Sequence, residues 1–175
     1  MGVKWTTRKN KFPEMKKSVA ELNGRRVNVG AHGEQAWLAG IHEYGCKIEV
    51  TDKMRAYLHS QGLHLKKDTQ YITIPERAFL RNGYELNKMN VVNDVDPALE
   101  SVIDGSLDTD RFLEMVGQVL SSTIKDYARN LDNPPNHPFT IKRKGSSNPL
   151  VGRTGDMIES ITYEVQELTG ESDRT

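Results

Sequence analysis

In "TDRFLEMVGQVLSSTIKDYARNL" (residues 109–131), Leu113, Val116, Leu120, Ile124, Tyr127 and Leu131 recur at intervals of 3, 4, 4, 3 and 4. That spacing puts them on one face of a 3.6-residue helix. At 1.5 Å per residue the stripe predicts a rod of roughly 33 Å, long enough to cross a small sheet. The rod must end at "DNPPNHP" (132–138), because successive prolines lack the N–H and the φ freedom that a helix interior needs.

Shorter elements surround it. A helix is expected over 14–22, stopping at "NG" (23–24). "RRVNVGA" (25–31) alternates, with Val27 and Val29 on one face of a strand. "GEQAWLAGIHEYG" (33–45) reads as a helix with Trp37, Leu38 and Ile41 as its apolar stripe and Gly45 at its end. "KIEVT" (47–51) alternates again, turning Ile48 and Val50 inward. "TDKMRAYLHSQG" (51–62) predicts a capped helical turn, with Thr51 accepting from free amides and Asp52 at the positive end. "LHLKKDTQYITIP" (63–75) suggests a hairpin or two short strands, with Ile72 and Ile74 inward and Pro75 ending the pairing. The acidic stretch 84–108 contains Pro97 and is expected to be a loop with at most one weak helix. "SITYEVQEL" (160–168) alternates Ile161, Tyr163 and Val165 as a last strand.

The expected fold is therefore α+β: a small mixed or antiparallel sheet with one long helix (about 109–131) packed across it. A single domain, 1–175, is expected to carry a basic N-terminal arm (1–13), a mobile basic loop (140–152) and a flexible tail (169–175). A hydrophobic fraction of 36% suffices for one modest core. No run approaches the ~18 apolar residues of a membrane span. The basic start "MGVKWTTRKNKFPEMKK" lacks the apolar core of a secretory signal. One cysteine, Cys46, excludes an internal disulfide framework and suits a reducing cytoplasm.

Net charge is zero but segregated. Residues 1–17 hold Lys4, Arg8, Lys9, Lys11, Lys16 and Lys17 against Glu14. Residues 140–155 hold Lys142, Arg143, Lys144 and Arg153 with one acid just beyond, Asp156. Residues 91–114 hold Asp94, Asp96, Glu100, Asp104, Asp108, Asp110 and Glu114 against Arg111. Such blocks can pair within one chain or between copies.

The most suggestive stretch for chemistry is "IKRKGSSNPLVGRTGDMIESITY" (141–163). It does not make a phosphate-binding P-loop, since six residues separate Gly145 from Gly152 and Arg153 stands in place of the lysine. "HEYGC" (42–46) has a cysteine where a zinc-protease helix needs its second histidine, and Gly45 weakens the helix there. His59 and His64 are separated by Gly62 and lack a third convergent ligand. "NPPNHP" lacks the strand–helix metal framework of a His-Asn-His nuclease. No catalytic, cofactor-binding or metal-binding residue is predicted. "KRK" (142–144) beside "GSSN" suits phosphate contact without sequence reading, but aromatics for base stacking are absent apart from Phe139.

Three stretches in order carry a family resemblance: "LAGIHEYGCKIEVTDKMRAYL" (38–58), "ITIPERAFLR" (72–81) and "HPFTIKRKGSSNPLVGRTGDMIESITYEV" (137–165). Together they resemble the tail-completion or virion-morphogenesis proteins of tailed bacteriophages, similar to the Mu-like G and lambda-like minor tail protein Z groups. The resemblance spans about residues 36–166. Two positions depart from the family pattern. Its turn usually reads Ile-Pro-x-Arg-Pro-Phe, where Ala78 replaces the second proline, and its late motif has Asp where Arg153 stands.

The resemblance implies a non-enzymatic structural protein of the virion neck, assembled in the bacterial host cytoplasm. It implies a homo-oligomeric ring, a hexamer, around the DNA channel. Its partners would be head-closure or adaptor proteins, tail terminator or tube proteins, and packaged DNA through non-specific phosphate contacts; no membrane and no cofactor are implied. Lys142, Arg143, Lys144, Arg153, Arg77 and Arg81 are the expected subunit or channel contacts. Pro75, Phe79, Thr154 and Gly155 are expected as turn and anchor residues, with Thr154 capping the turn that holds Asp156. The arm 142–148, too polar to pack alone, is expected to order on assembly against a neighbour's acidic 91–114 region. The other reading is a DNA-binding accessory protein that uses the basic 140–153 loop.

Overall fold

A computed structural model describes residues 10–152 and 154–168. Arg153, most of the expected N-terminal arm (1–9) and the expected tail (169–175) lie outside the described residues.

The chain runs α1 (Phe12–Asn23), β1 (Arg25–Ala31), α2 (Ala36–Tyr44), β2 (Cys46–Glu49), α3 (Asp52–Ser60), β3 (Tyr71–Ile74), α4 (Phe79–Ile103), α5 (Thr109–Asn130), α6 (Pro138–Lys144), α7 (Asp156–Glu159) and β4 (Ile161–Glu167). The fold class is α+β, with two small antiparallel sheets and long helices packed across them. The expected one sheet is thus two two-stranded sheets, β1–β4 and β2–β3. By their contacts the described residues fall into two compact units, one of 10–29, 89–120 and 163–168, the other of 30–88, 121–152 and 154–162. The long helices α4 and α5 are each divided between the units, α4 after Lys88 and α5 after Leu120.

The first unit is built on Val102, Phe112 and Leu113, against which Leu22, Val27, Leu99, Val116 and Val165 pack. The rod predicted over 109–131 is α5; Leu113 and Val116 of its stripe belong to this cluster, and the later stripe residues Ile124 and Leu131 are buried in the second unit. Gly117 sits where Tyr163 of β4 crosses the helix, and any Cβ there would overlap the ring.

Helix α4 overturns the expected loop at 84–108: Pro97 lies inside it. A proline there removes one intrahelical hydrogen bond and crowds the preceding turn. Val91, Val95, Ala98 and Val102, spaced 4, 3 and 4, supply the compensating face, with Val91 and Val102 buried and Val95 and Ala98 packed on the cluster. Charge is partly neutralised inside this unit: Lys11 Nζ lies 3.7 Å from the Asp104 carboxylate and Arg25 pairs with Asp110.

In the second unit β3 pairs with β2, not with a neighbour in a 63–75 hairpin. The register sets Cys46 against Ile74 and Glu49 against Tyr71, antiparallel. Residues 63–70 form no strand, because Arg55 of α3 holds them as a loop. Its guanidinium donates to the carbonyls of Lys66 and Thr69, both at 2.7 Å. Thr51 caps α3 as expected, accepting from Met54 N–H at 3.2 Å. Trp37, expected on the apolar stripe of α2, is 69% exposed; Ala39 and Glu43 are the residues buried there. Phe79, Ile124, Ala128, Leu131, Leu150, Met157 and Ile158 are the buried apolar residues of this unit's core, with Ile161 at the start of β4.

The stretch expected as a mobile loop, 140–152, is helical as far as Lys144. Pro138 opens α6, His137 Nδ1 accepts from Phe139 N–H, and left-handed Gly145 closes it. Beyond it Asn148 donates to the carbonyls of Ala128 and Arg129 at the end of α5, and its Oδ1 accepts from Leu150 and Val151 N–H. A single side chain thereby ties the polar segment to the helix it follows.

Candidate functional site

The residues of the first two resemblance motifs meet where α2 ends and α4 begins. Both helix ends leave backbone groups without intrahelical partners. At the end of α2, the His42 carbonyl accepts from Arg77 N–H at 2.9 Å and the Glu43 carbonyl accepts from Ala78 N–H at 3.2 Å. At the start of α4, the Glu43 carboxylate accepts from Leu80 N–H at 2.8 Å and Arg81 N–H at 3.2 Å. Each helix end therefore satisfies the other, and a carboxylate sits at the positive end of α4. Gly45 makes the approach possible: its φ is 74°, and a Cβ there would lie 2.8 Å from Glu76 N.

Arg81 completes this cap. Its Nε donates to Glu43 at 2.8 Å, its Nη2 to Glu76 at 2.7 Å, and its guanidinium lies over the Tyr44 ring. Arg81 therefore meets carboxylates of its own chain. Phe79 is fully enclosed, and Pro75 precedes the turn. Ala78 has a φ of 45° and its N–H is engaged. Proline has neither that φ nor that N–H.

Arg77 is buried but meets no carboxylate among the described residues. One Nη lies 3.0 Å from His42 Nδ1 and donates to the Pro75 carbonyl, and the other donates to Asn136 Oδ1 at 3.2 Å. Its enclosed Nε has no acceptor. The cleft beside it, about 690 Å³, is bordered by Glu76, Asn82, Tyr127 and Asp132. Burial, the Arg77 charge and the Lys144 charge together push the His42 pKa down to about 4, so the ring is neutral near pH 7. With Nδ1 accepting from Arg77, the proton of the neutral ring is on Nε2.

The three consecutive basic residues do not form one patch, because a helix turns each by about 100° from the last. Lys142 is exposed, and Arg143 donates to Gln61 and lies over the Phe139 ring. Lys144 turns inward, donating to the carbonyls of Asn148 and Pro149, both at 3.0 Å. Burial first, then the Arg77 charge, pushes its pKa down. Gly155 is left-handed and opens α7, but Thr154 does not cap it: the Thr154 hydroxyl donates to Asp156 Oδ2 at 2.6 Å. His59 and His64 come together edge to face, 4.4 Å between ring centres. Among the described residues no three His, Cys, Asp or Glu side chains converge as metal ligands.

His42 and Glu43 were legible in the sequence as a helix end meeting a turn, but not their partners Arg77, Leu80 and Arg81, nor the roles of Asn136 and Asn148. The available signal for Glu43 was its place four residues after Ala39, on the buried face of α2. Comparison with protein-family models, with curated proteins and with solved structures finds no match.

Proposed function

We propose that this chain is a structural protein of a tailed-phage neck, one subunit of a ring around the DNA channel that completes the tail end and joins it to the head. The observation that carries the reading is the convergence of the resemblance motifs on one framework. His42 and Glu43 of the first, Arg77 and Arg81 of the second, and Lys144 of the third lie together, with Asn136 just ahead of it. The Glu43 and Arg81 charges cap and brace the junction of two helices, as suits a scaffold.

The exposed acids of α4 and the exposed Lys142 and Arg143 offer complementary surfaces for neighbouring copies. The test is deletion of the gene from the genome that encodes it, with electron microscopy of the lysate. Separate heads and tails, rejoined when the protein is supplied in trans, are expected. Intact virions with altered DNA handling would replace this reading with that of a DNA-binding accessory protein.

A further inference from the structure

We propose that the cavity walled by His42 of α2, Lys144 of α6 and residues Leu150 and Thr154 is a binding site for a small oxyanion, a phosphate or carboxylate group. The proposal stands apart from the neck assignment and rests on charge that the chain leaves uncompensated. Arg77 is 4% exposed and Lys144 half-buried, yet among the described residues both are met only by neutral acceptors. Taking cations out of water without a counter-charge is costly, and the usual remedy is an anion held beside them. The enclosed Arg77 Nε, which donates to nothing, marks the same deficit.

The cavity measures about 240 Å³. That is room for one such group and part of its hydration. Three kinds of donor stand in its wall. Lys144 Nζ has a third N–H beyond its two carbonyl acceptors. His42 is locked by Arg77 in the tautomer that carries its proton on Nε2. Gln35 adds a side-chain amide. Leu38 and Leu150 form the apolar part of the wall and strengthen these dipoles by lowering the local dielectric. The one acid there, Asp156, is exposed and takes its hydrogen bond from Thr154. Arg77 borders the neighbouring cleft and not this cavity, and contributes positive potential through its contact with His42.

The experiment is side-chain NMR of the full chain labelled with ¹⁵N-histidine, at pH 7, with His42→Gln serving to assign the ring. Sodium phosphate and sodium acetate are titrated separately against sodium chloride at matched ionic strength. A saturable shift of the His42 Nε2 resonance is expected. It should weaken at least ~10-fold in Lys144→Gln, which removes a charge-assisted hydrogen bond, and persist in Arg143→Gln. Saturation by phosphate alone assigns a phosphate-type ligand, and saturation by acetate assigns a carboxylate. A shift matched by chloride, or unchanged in Lys144→Gln that keeps the wild-type circular dichroism, overturns the site.

Discussion

Glu43 illustrates how one side chain can join two elements. It is 2% exposed and accepts from two amides of α4 and from Arg81. Glu43→Gln keeps the shape but removes the charge and sets an NH₂ against donors. A loss of about 2–4 kcal/mol is expected in urea unfolding. Ala78 carries strain that glycine would relieve, since a side chain at a φ of 45° crowds the following carbonyl. Ala78→Gly should raise the unfolding free energy by about 1 kcal/mol. Ala78→Pro should lower it sharply, because φ and the hydrogen bond to the Glu43 carbonyl are both lost. If glycine there is neutral, the left-handed turn is not a feature of the folded chain.

At the scale of elements, the spacing of apolar residues specified α5, whereas α4 needed its partners. Pro97 made 84–108 look like a loop, and the face of Val95, Ala98 and Val102 that overrides it gains its value only against Phe112 and Leu113. The crossing of β4 over α5 depends on Gly117. Gly117→Ala improves helix propensity, yet its methyl group must displace the Tyr163 ring. A net cost of about 1–3 kcal/mol is expected from overpacking. In a Tyr163→Val background most of that cost should vanish, giving a coupling readable in a double-mutant cycle. Equal costs in both backgrounds would mean that the ring lies elsewhere. The hairpin expected at 63–75 failed for a related reason: its second half finds β2 across α3 because Arg55 holds the intervening residues as a loop.

For the whole molecule, stability against pH reports the buried cationic cluster. The His42 pKa in the folded chain is about 4, below the unfolded value of 6.5, so the unfolded chain takes up the proton first. Above pH 6.5 both states are neutral there and the full stability is present; it is lost as pH falls from 6.5 through 4. Allowing for the ring's partial exposure, the loss is about 1–2 kcal/mol. His42→Gln, which still accepts from Arg77, should flatten that part of the profile in chemical denaturation. An unchanged slope would place the protonation outside the cluster.

The α+β class, the rod α5 with its proline stop, the capped α3 and the strands β1 and β4 were legible in the sequence. Each follows from local periodicity or local backbone chemistry, which needs no distant partner. Long-range packing split the strands into two sheets, ran α4 through Pro97, and made 138–144 a helix with Lys144 turned inward. It also brought Glu43, rather than any residue near α4 in sequence, to cap α4, and buried Arg77 beside a histidine. Those outcomes depend on which groups far apart in the chain satisfy one another's hydrogen bonds and charges, and no window of sequence contains both partners.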